Sequence, residues 1–193
     1  MPSEQYMEIY HNYWPKASQK IYGFLMDNIS LEDKIYEVGV GSGHLLFNLL
    51  ENGYKASGCE IRKEQYEKTY KKLKAAGFNH SIFCEDVMVV TDKVDVVYST
   101  GLLQCFCGEK RIQIIQKIAS LADRALIVVP EIVEDRNVGD LELVGVAGCA
   151  EYCTKGLEYE LRKSFDCVQM GKWYSEELEL EDDFCFYVCR HME

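Results

Sequence analysis

The sequence predicts an α/β domain: a doubly wound, mostly parallel sheet of about seven strands, with an antiparallel C-terminal strand pair and N-terminal helices in front. Three observations predict it. From Ile35 to about Pro130, short runs rich in β-branched and aromatic residues alternate with runs of helical periodicity, and that alternation puts a parallel sheet between helical layers. Towards the C-terminus the rhythm changes to two strand-like runs with a short connection, which suits a hairpin and is too short for a parallel crossover. The chain has 193 residues, 48% of them hydrophobic, which is enough for one ordinary domain with its own core. Residues 1–193 are therefore read as a single domain.

The elements follow in order. Residues from about Tyr6 to Asn28 have a helical pattern that breaks near Pro15. The core can be drawn complete from Ile35 onward, so residues 1–30 are assigned as a helical lid and residues 31–193 as the core. Strand-like runs are "IYEVGV", "YKASGCEI", "SIFCED", "VDVVYST" and "ALIVVPE", each ending at polar or glycine positions. In "HLLFNLLENG" Leu45, Leu46, Leu49 and Leu50 form one apolar face, and Gly53 suits the stop. In "KEQYEKTYKKLKAAG" Tyr66, Tyr70 and Leu73 line one side, with Lys and Glu opposite. In "EKRIQIIQKIASLAD" the expected stripe is Ile112, Ile115, Ala119 and Ala122. The closing pair is "FDCVQMGKWY" and "DFCFYVCRH", joined by the acidic "SEELELED", which carries no convincing helix.

Composition narrows the partners. The formal net charge of −11 argues against nucleic-acid backbones and anionic membranes, which need a basic face; a small neutral or cationic molecule remains suitable. No run approaches the length of a membrane span, and "MPSEQYMEIY" lacks the basic and apolar regions of a signal peptide. The nine cysteines have no CxxC pair and read as reduced thiols, so a cytoplasmic location is expected. Nothing in the sequence fixes an oligomeric state.

The stretch "EVGVGSGH" has two readings. As a dinucleotide turn, GxGxxG, it would place His44 where a small residue lets helix and strand pack closely, and Glu37 would repel a pyrophosphate held at the helix N-terminus. As E-x-G-x-G-x-G, it opens the backbone at Gly39, Gly41 and Gly43 to a ligand lying over the strand end, with Glu37 attracting a cation beside it. A ligand with an ammonium, a sulfonium and a ribose but no phosphate fits the second reading, and S-adenosylmethionine has those groups.

With its neighbours, this stretch resembles the class I S-adenosylmethionine-dependent methyltransferases. "YEVGVGSGHLL" is similar to their first motif. "ASGCEIR" ends a second strand at Glu60, about 20 residues after the first glycine, where a carboxylate meets the ribose hydroxyls. "FCEDVM" ends a third strand at Asp86, and "VDVVYSTGLLQCF" is similar to the fourth-strand pattern. The resemblance covers roughly Ile35 to Pro130. It implies a Rossmann-like fold, S-adenosylmethionine as cofactor and S-adenosylhomocysteine as product. It implies a cofactor site of Glu37, Gly39, Val40, Gly41, Gly43, His44, Glu60, Ile61, Asp86, Val87, Ser99 and Thr100, with Asp86 at the adenine amino group and Val87 beside the ring. Cys105 stands where relatives often carry His. No "DPPY" or "NPPY" follows the fourth strand, which argues against methylation of adenine or glutamine amines. A small-molecule acceptor is expected, and no catalytic residue is singled out. A non-catalytic methyltransferase-like binding domain and an NAD(P)-dependent oxidoreductase are the alternatives.

Outside these motifs, Tyr6, Tyr10 and Tyr13 recur at helical spacing beside Trp14. They read either as packing onto the sheet or as a lid; the resemblance implies the lid, with Tyr10, Tyr13 and Trp14 near the acceptor, and aromatic faces suit a sulfonium. Asp86 also suits a helix N-cap. His11 reads as a packing or surface residue. Cys105 with Cys107, and Cys149 with Cys153, read as core or half-buried thiols and not as ligands, so no metal is expected.

Overall fold

The computed structural model describes residues 17–106, 108–130, 154–178 and 183–192. Helix α1 occupies 17–28. It is followed by β1 (Lys34–Val38), α2 (His44–Glu51), β2 (Lys55–Cys59), α3 (Lys63–Ala75) and β3 (Ile82–Phe83). Then come β4 (Val94–Thr100), α4 (Gly108–Leu121), β5 (Ala122–Pro130), α5 (Thr154–Leu161), β6 (Cys167–Trp173), the single turn α6 (Ser175–Leu178) and β7 (Phe184–Arg190). Short 3-10 turns at Val87–Val89 and Leu103–Cys105 follow β3 and β4. The strands form one seven-stranded sheet in the order β3-β2-β1-β4-β5-β7-β6. The first five are parallel, and β7 lies antiparallel to both β5 and β6. This is the expected mixed sheet with its antiparallel terminal pair.

Alternation along the strands divides the core in two. One face carries Tyr36, Val38, Val97, Ala125, Ile127 and Val129 against α4 and α5. The other carries Ile35, Val96, Tyr98, Leu126 and Val128 against α1, α2 and α3. Helix α1 belongs to this second layer. Its Ala17, Ile21, Phe24 and Leu25 are buried at helical spacing, and Phe24 packs edge-on to Trp173 and against Phe186 of the terminal hairpin. The core is therefore not complete from Ile35 onward: 17–28 is a strut, because Tyr98, Leu126, Val128 and Val188 need a helix over them. The expected lid residues Tyr10, Tyr13 and Trp14, and also Tyr6 and His11, lie outside the described residues.

Three local expectations change. The β3 run shortens from "SIFCED" to Ile82–Phe83, because Asp86 already caps the 3-10 turn, accepting from the Met88 amide at 3.0 Å. Helix α4 buries Ile114, Ile115, Ile118 and Leu121, and Ala122 opens β5. The stripe is rotated from the expected one because Arg111, 4% exposed, lies on the same face; its guanidinium grips the Glu160 carboxylate of α5 at 2.6 and 2.8 Å. The described start of the acidic linker forms the turn α6 (Ser175–Leu178), whose Ser175 amide donates to Asp183 at 2.6 Å.

Gly58 lies opposite Glu37 in the β1–β2 register. A Cβ there would stand 2.5 Å from the Glu37 carbonyl oxygen and 2.6 Å from a Val40 methyl. Backbone on one side leaves no room to yield, so Gly58→Ala is expected to cost roughly 1–3 kcal/mol of stability through overpacking. Urea unfolding of the variant beside the parent protein checks this, and an unchanged midpoint would contradict it.

Candidate functional site

The site forms where β1, β2 and β4 end together. After Val38 the chain turns through Gly39 and Gly41, both at positive φ (82° and 54°), a region that side-chain-bearing residues enter only at a cost. Gly39 is also the point of close approach, since a Cβ there would sit 3.1 Å from the Leu102 side chain. Gly43, the residue before α2, offers no side-chain cap, and its left-handed backbone (φ 74°) turns the loop into the helix.

The loop is held from both sides. The Gly41 amide donates to Oε2 of Glu60 at 3.1 Å. The Gly41 carbonyl accepts from the Thr69 hydroxyl at 2.6 Å and the Gln65 side-chain amide at 2.9 Å, both from α3. Glu60 is 4% exposed; its Oε1 accepts from the Arg62 backbone amide at 2.9 Å and from Arg62 Nε at 3.1 Å. On β1, Glu37 is 2% exposed and accepts on Oε2 from the Tyr98 hydroxyl of β4 at 2.7 Å. Burial pushes the Glu37 carboxyl up to about 8; the Tyr98 hydrogen bond opposes this rise and the Glu60 charge adds to it.

Two hollows meet at Gly39 and Thr100, which line both. The larger has a volume of about 360 Å³ and is bounded by Glu60, Ile61, Asp86, Val87, Leu102 and Cys105, among others. The smaller, about 30 Å³, is lined by Glu37, Val40, Ser42, His44 and Thr100, with Ser18 reaching in from α1. The expected Gly39, Gly41, Glu60, Ile61, Asp86, Val87 and Thr100 thus line the larger hollow, and Glu37, Val40 and His44 the smaller. Gly43 and Ser99 line neither. A Cβ on Gly43 would run into the Thr69 side chain behind the loop, and the Ser99 hydroxyl donates to the Val38 carbonyl at 3.1 Å inside the sheet. Their work is to shape the loop and join β1 to β4.

Residues absent from the sequence expectation also contribute. Arg62 orients Glu60, and its signal was the adjacent "EIR". Leu102 walls the glycine loop and follows the fourth-strand motif directly. Ser18 carried no signal, since nothing local ties α1 to β1. Cys105 faces the larger hollow, with its thiol 3.8 Å from the Gly101 carbonyl. Among the described residues no group of three or more His, Cys, Asp or Glu gathers where a metal could bind. Cys107, Cys149 and Cys153 lie outside them.

A glycine loop at a strand end, a helix N-terminus with no side-chain cap and a carboxylate after the next strand are the arrangement by which α/β domains of doubly wound topology hold nucleoside ligands. A family described as a methyltransferase domain matches residues 35–124. A segment of 53 residues is 38% identical to protein-L-isoaspartate O-methyltransferase of Cytophaga hutchinsonii, covering 28% of this chain and 24% of that protein. In fold, the chain is similar to magnesium protoporphyrin IX methyltransferase from Synechocystis with bound SAM (TM-score 0.73, 14% identity, 98% of this chain and 86% of the other). It is also similar to the cyclase SpnF (TM-score 0.69, 12% identity, 92% of this chain and 83% of the other). The family match thus falls on the strands and helices that build the site, and the solved structures share the fold of this chain.

Proposed function

We propose that the protein is an S-adenosylmethionine-dependent methyltransferase acting on a small-molecule acceptor. The observation that carries this is the buried Glu37 beneath the glycine loop. An isolated buried carboxylate is costly unless a cation joins it, and its small hollow opens at Gly39 and Thr100 into one edged by Glu60 and Asp86. The same carboxylate opposes a pyrophosphate at that loop, which weakens the nicotinamide-dependent alternative.

The residues present fit the cofactor. Glu37 would meet the amino group, the Gly39–Gly41 backbone would let the ligand lie against it, and Glu60 would accept from the ribose hydroxyls. Asp86, with one oxygen already on the Met88 amide, would accept from the adenine amino group, with Val87 and Leu102 flanking the ring. When bound, the cofactor supplies a methyl group on a positively charged sulfur, which leaves readily. The protein then has to align the acceptor and exclude water; a strong base is needed only where the acceptor must lose a proton early. The small-molecule acceptor is supported by the net charge of −11, which disfavours nucleic acid and anionic membrane surfaces. The same chemistry is expected in the cytoplasm. Among the described residues no helix is long and apolar enough to cross a membrane.

Calorimetry tests the reading. S-adenosylmethionine and S-adenosylhomocysteine are expected to bind in the micromolar range, on the order of −8 kcal/mol. NAD is expected to give no binding heat. Binding of NAD without either adenosyl ligand would overturn the proposal. A radiolabel-transfer screen over small amines, thiols, phenols and carboxylic acids then identifies the acceptor class.

A further inference from the structure

Glu37 and Tyr98 face each other as register partners on β1 and β4. Tyr98 is fully buried and lines neither hollow, so it touches no ligand directly. Its hydroxyl is nevertheless 2.7 Å from Glu37 Oε2. Burial, reinforced by the neighbouring carboxylate, raises the phenol well above its ordinary value, so it remains a donor across the working pH range. A phenylalanine would fill the same apolar space among Val96, Leu126 and Val128 without this contact.

We propose that Tyr98 is a positioning residue for the cation-binding carboxylate: its hydroxyl fixes Glu37 through Oε2 and stabilises its charged form, leaving Oε1 for the ligand's ammonium group. This rests on the adenosyl-cofactor reading above. The need for such a donor follows from the burial of Glu37. An ionised carboxylate at that depth is poorly solvated, and a charge-assisted hydrogen bond stabilises the ion more than the neutral acid. Among the described residues, the other titratable groups around Glu37 are Glu60 at the end of β2, whose charge disfavours ionisation, and His44 at the start of α2, which lines the same hollow. From α1 comes only the uncharged Ser18. Tyr98 is therefore the donor to Glu37 that β4 supplies from inside the sheet.

The test compares two ligands in two proteins across pH 6–9 by calorimetry. S-adenosylhomocysteine carries the ammonium group; 5′-methylthioadenosine keeps the nucleoside and lacks it. In Tyr98→Phe, affinity for S-adenosylhomocysteine at pH 7 is expected to fall about ten- to a hundredfold, the range for a hydrogen bond to a charged group. The pH at which that affinity levels off is expected to move upward, because Glu37 now ionises less readily. Affinity for 5′-methylthioadenosine is expected to stay within about twofold, since its contacts do not involve Glu37. In a Glu37→Gln background, Tyr98→Phe is expected to leave the pH profile unchanged, as a coupled pair requires. An unchanged affinity and pH profile in Tyr98→Phe overturns the proposal. So does an equal loss for both ligands, which marks a purely structural residue. If the parent protein binds neither ligand, the cofactor reading itself has failed and the proposal falls with it.

Discussion

Replacing Glu60 with alanine is expected to weaken S-adenosylmethionine binding by about a hundredfold. The ribose hydroxyls lose a charged acceptor, and hydrogen bonds to charged groups contribute roughly 1.5–3 kcal/mol, about ten- to a hundredfold. The upper end is expected here because Glu60 does a second job. Its two oxygens hold the Gly41 amide at 3.1 Å and the Arg62 backbone amide at 2.9 Å, so its removal also loosens the Gly41 end of the glycine loop, while the Cys59 carbonyl still holds the Gly39 and Val40 amides at 3.0 Å. Ordering that loop then becomes part of the cost of binding. Calorimetry on a variant shown by circular dichroism to be folded measures the effect. An affinity within about twofold of the parent would place the nucleoside elsewhere.

Glu37→Gln is expected to trade binding for stability. The ordinary value of the carboxyl is 4.5 and in the fold it rises to about 8. Between those values the unfolded chain has released the proton and the folded chain still holds it. Stability from this group is therefore present in full below about pH 4.5 and is lost as pH rises to about 8, by several kcal/mol at most. Glutamine has no proton to lose and can still accept from the Tyr98 hydroxyl through its carbonyl oxygen. The ligand-free variant is expected to melt higher than the parent at pH 8 and nearly alike at pH 5, while its affinity for S-adenosylmethionine falls more than tenfold. Thermal unfolding at both pH values checks the first part and calorimetry the second. The difference between the two proteins isolates Glu37 from other groups titrating in that window, and parallel pH slopes would show that Glu37 is ionised in the ligand-free fold.

Some of this is legible in the chain alone. The sheet could be read because β-branched runs alternate with helical stripes. The candidate site could be outlined because Glu37, Glu60 and Asp86 lie at or just beyond the C-terminal ends of three successive strands, and a parallel sheet brings those ends together at one edge. Helix α5 was missed because its buried Leu157 and Leu161 give a stripe too short to stand out. The α4 stripe was rotated because a buried Arg111 looks polar in sequence, and only Glu160 explains its burial. Ser99 was assigned to the site by its place in a motif, while its hydroxyl serves the sheet.

By itself, then, the sequence determined the doubly wound class, the positive-φ loop and the set of acidic strand ends, because glycine conformation and hydrophobic period are properties of neighbouring residues. The tertiary structure decided that α1 is part of the core and that Gly58 must lack a side chain. It also decided that Tyr98 stands under Glu37, 61 positions away along the chain. Such pairings depend on which strand lies beside which and on the space left between packed side chains, and no local pattern encodes either.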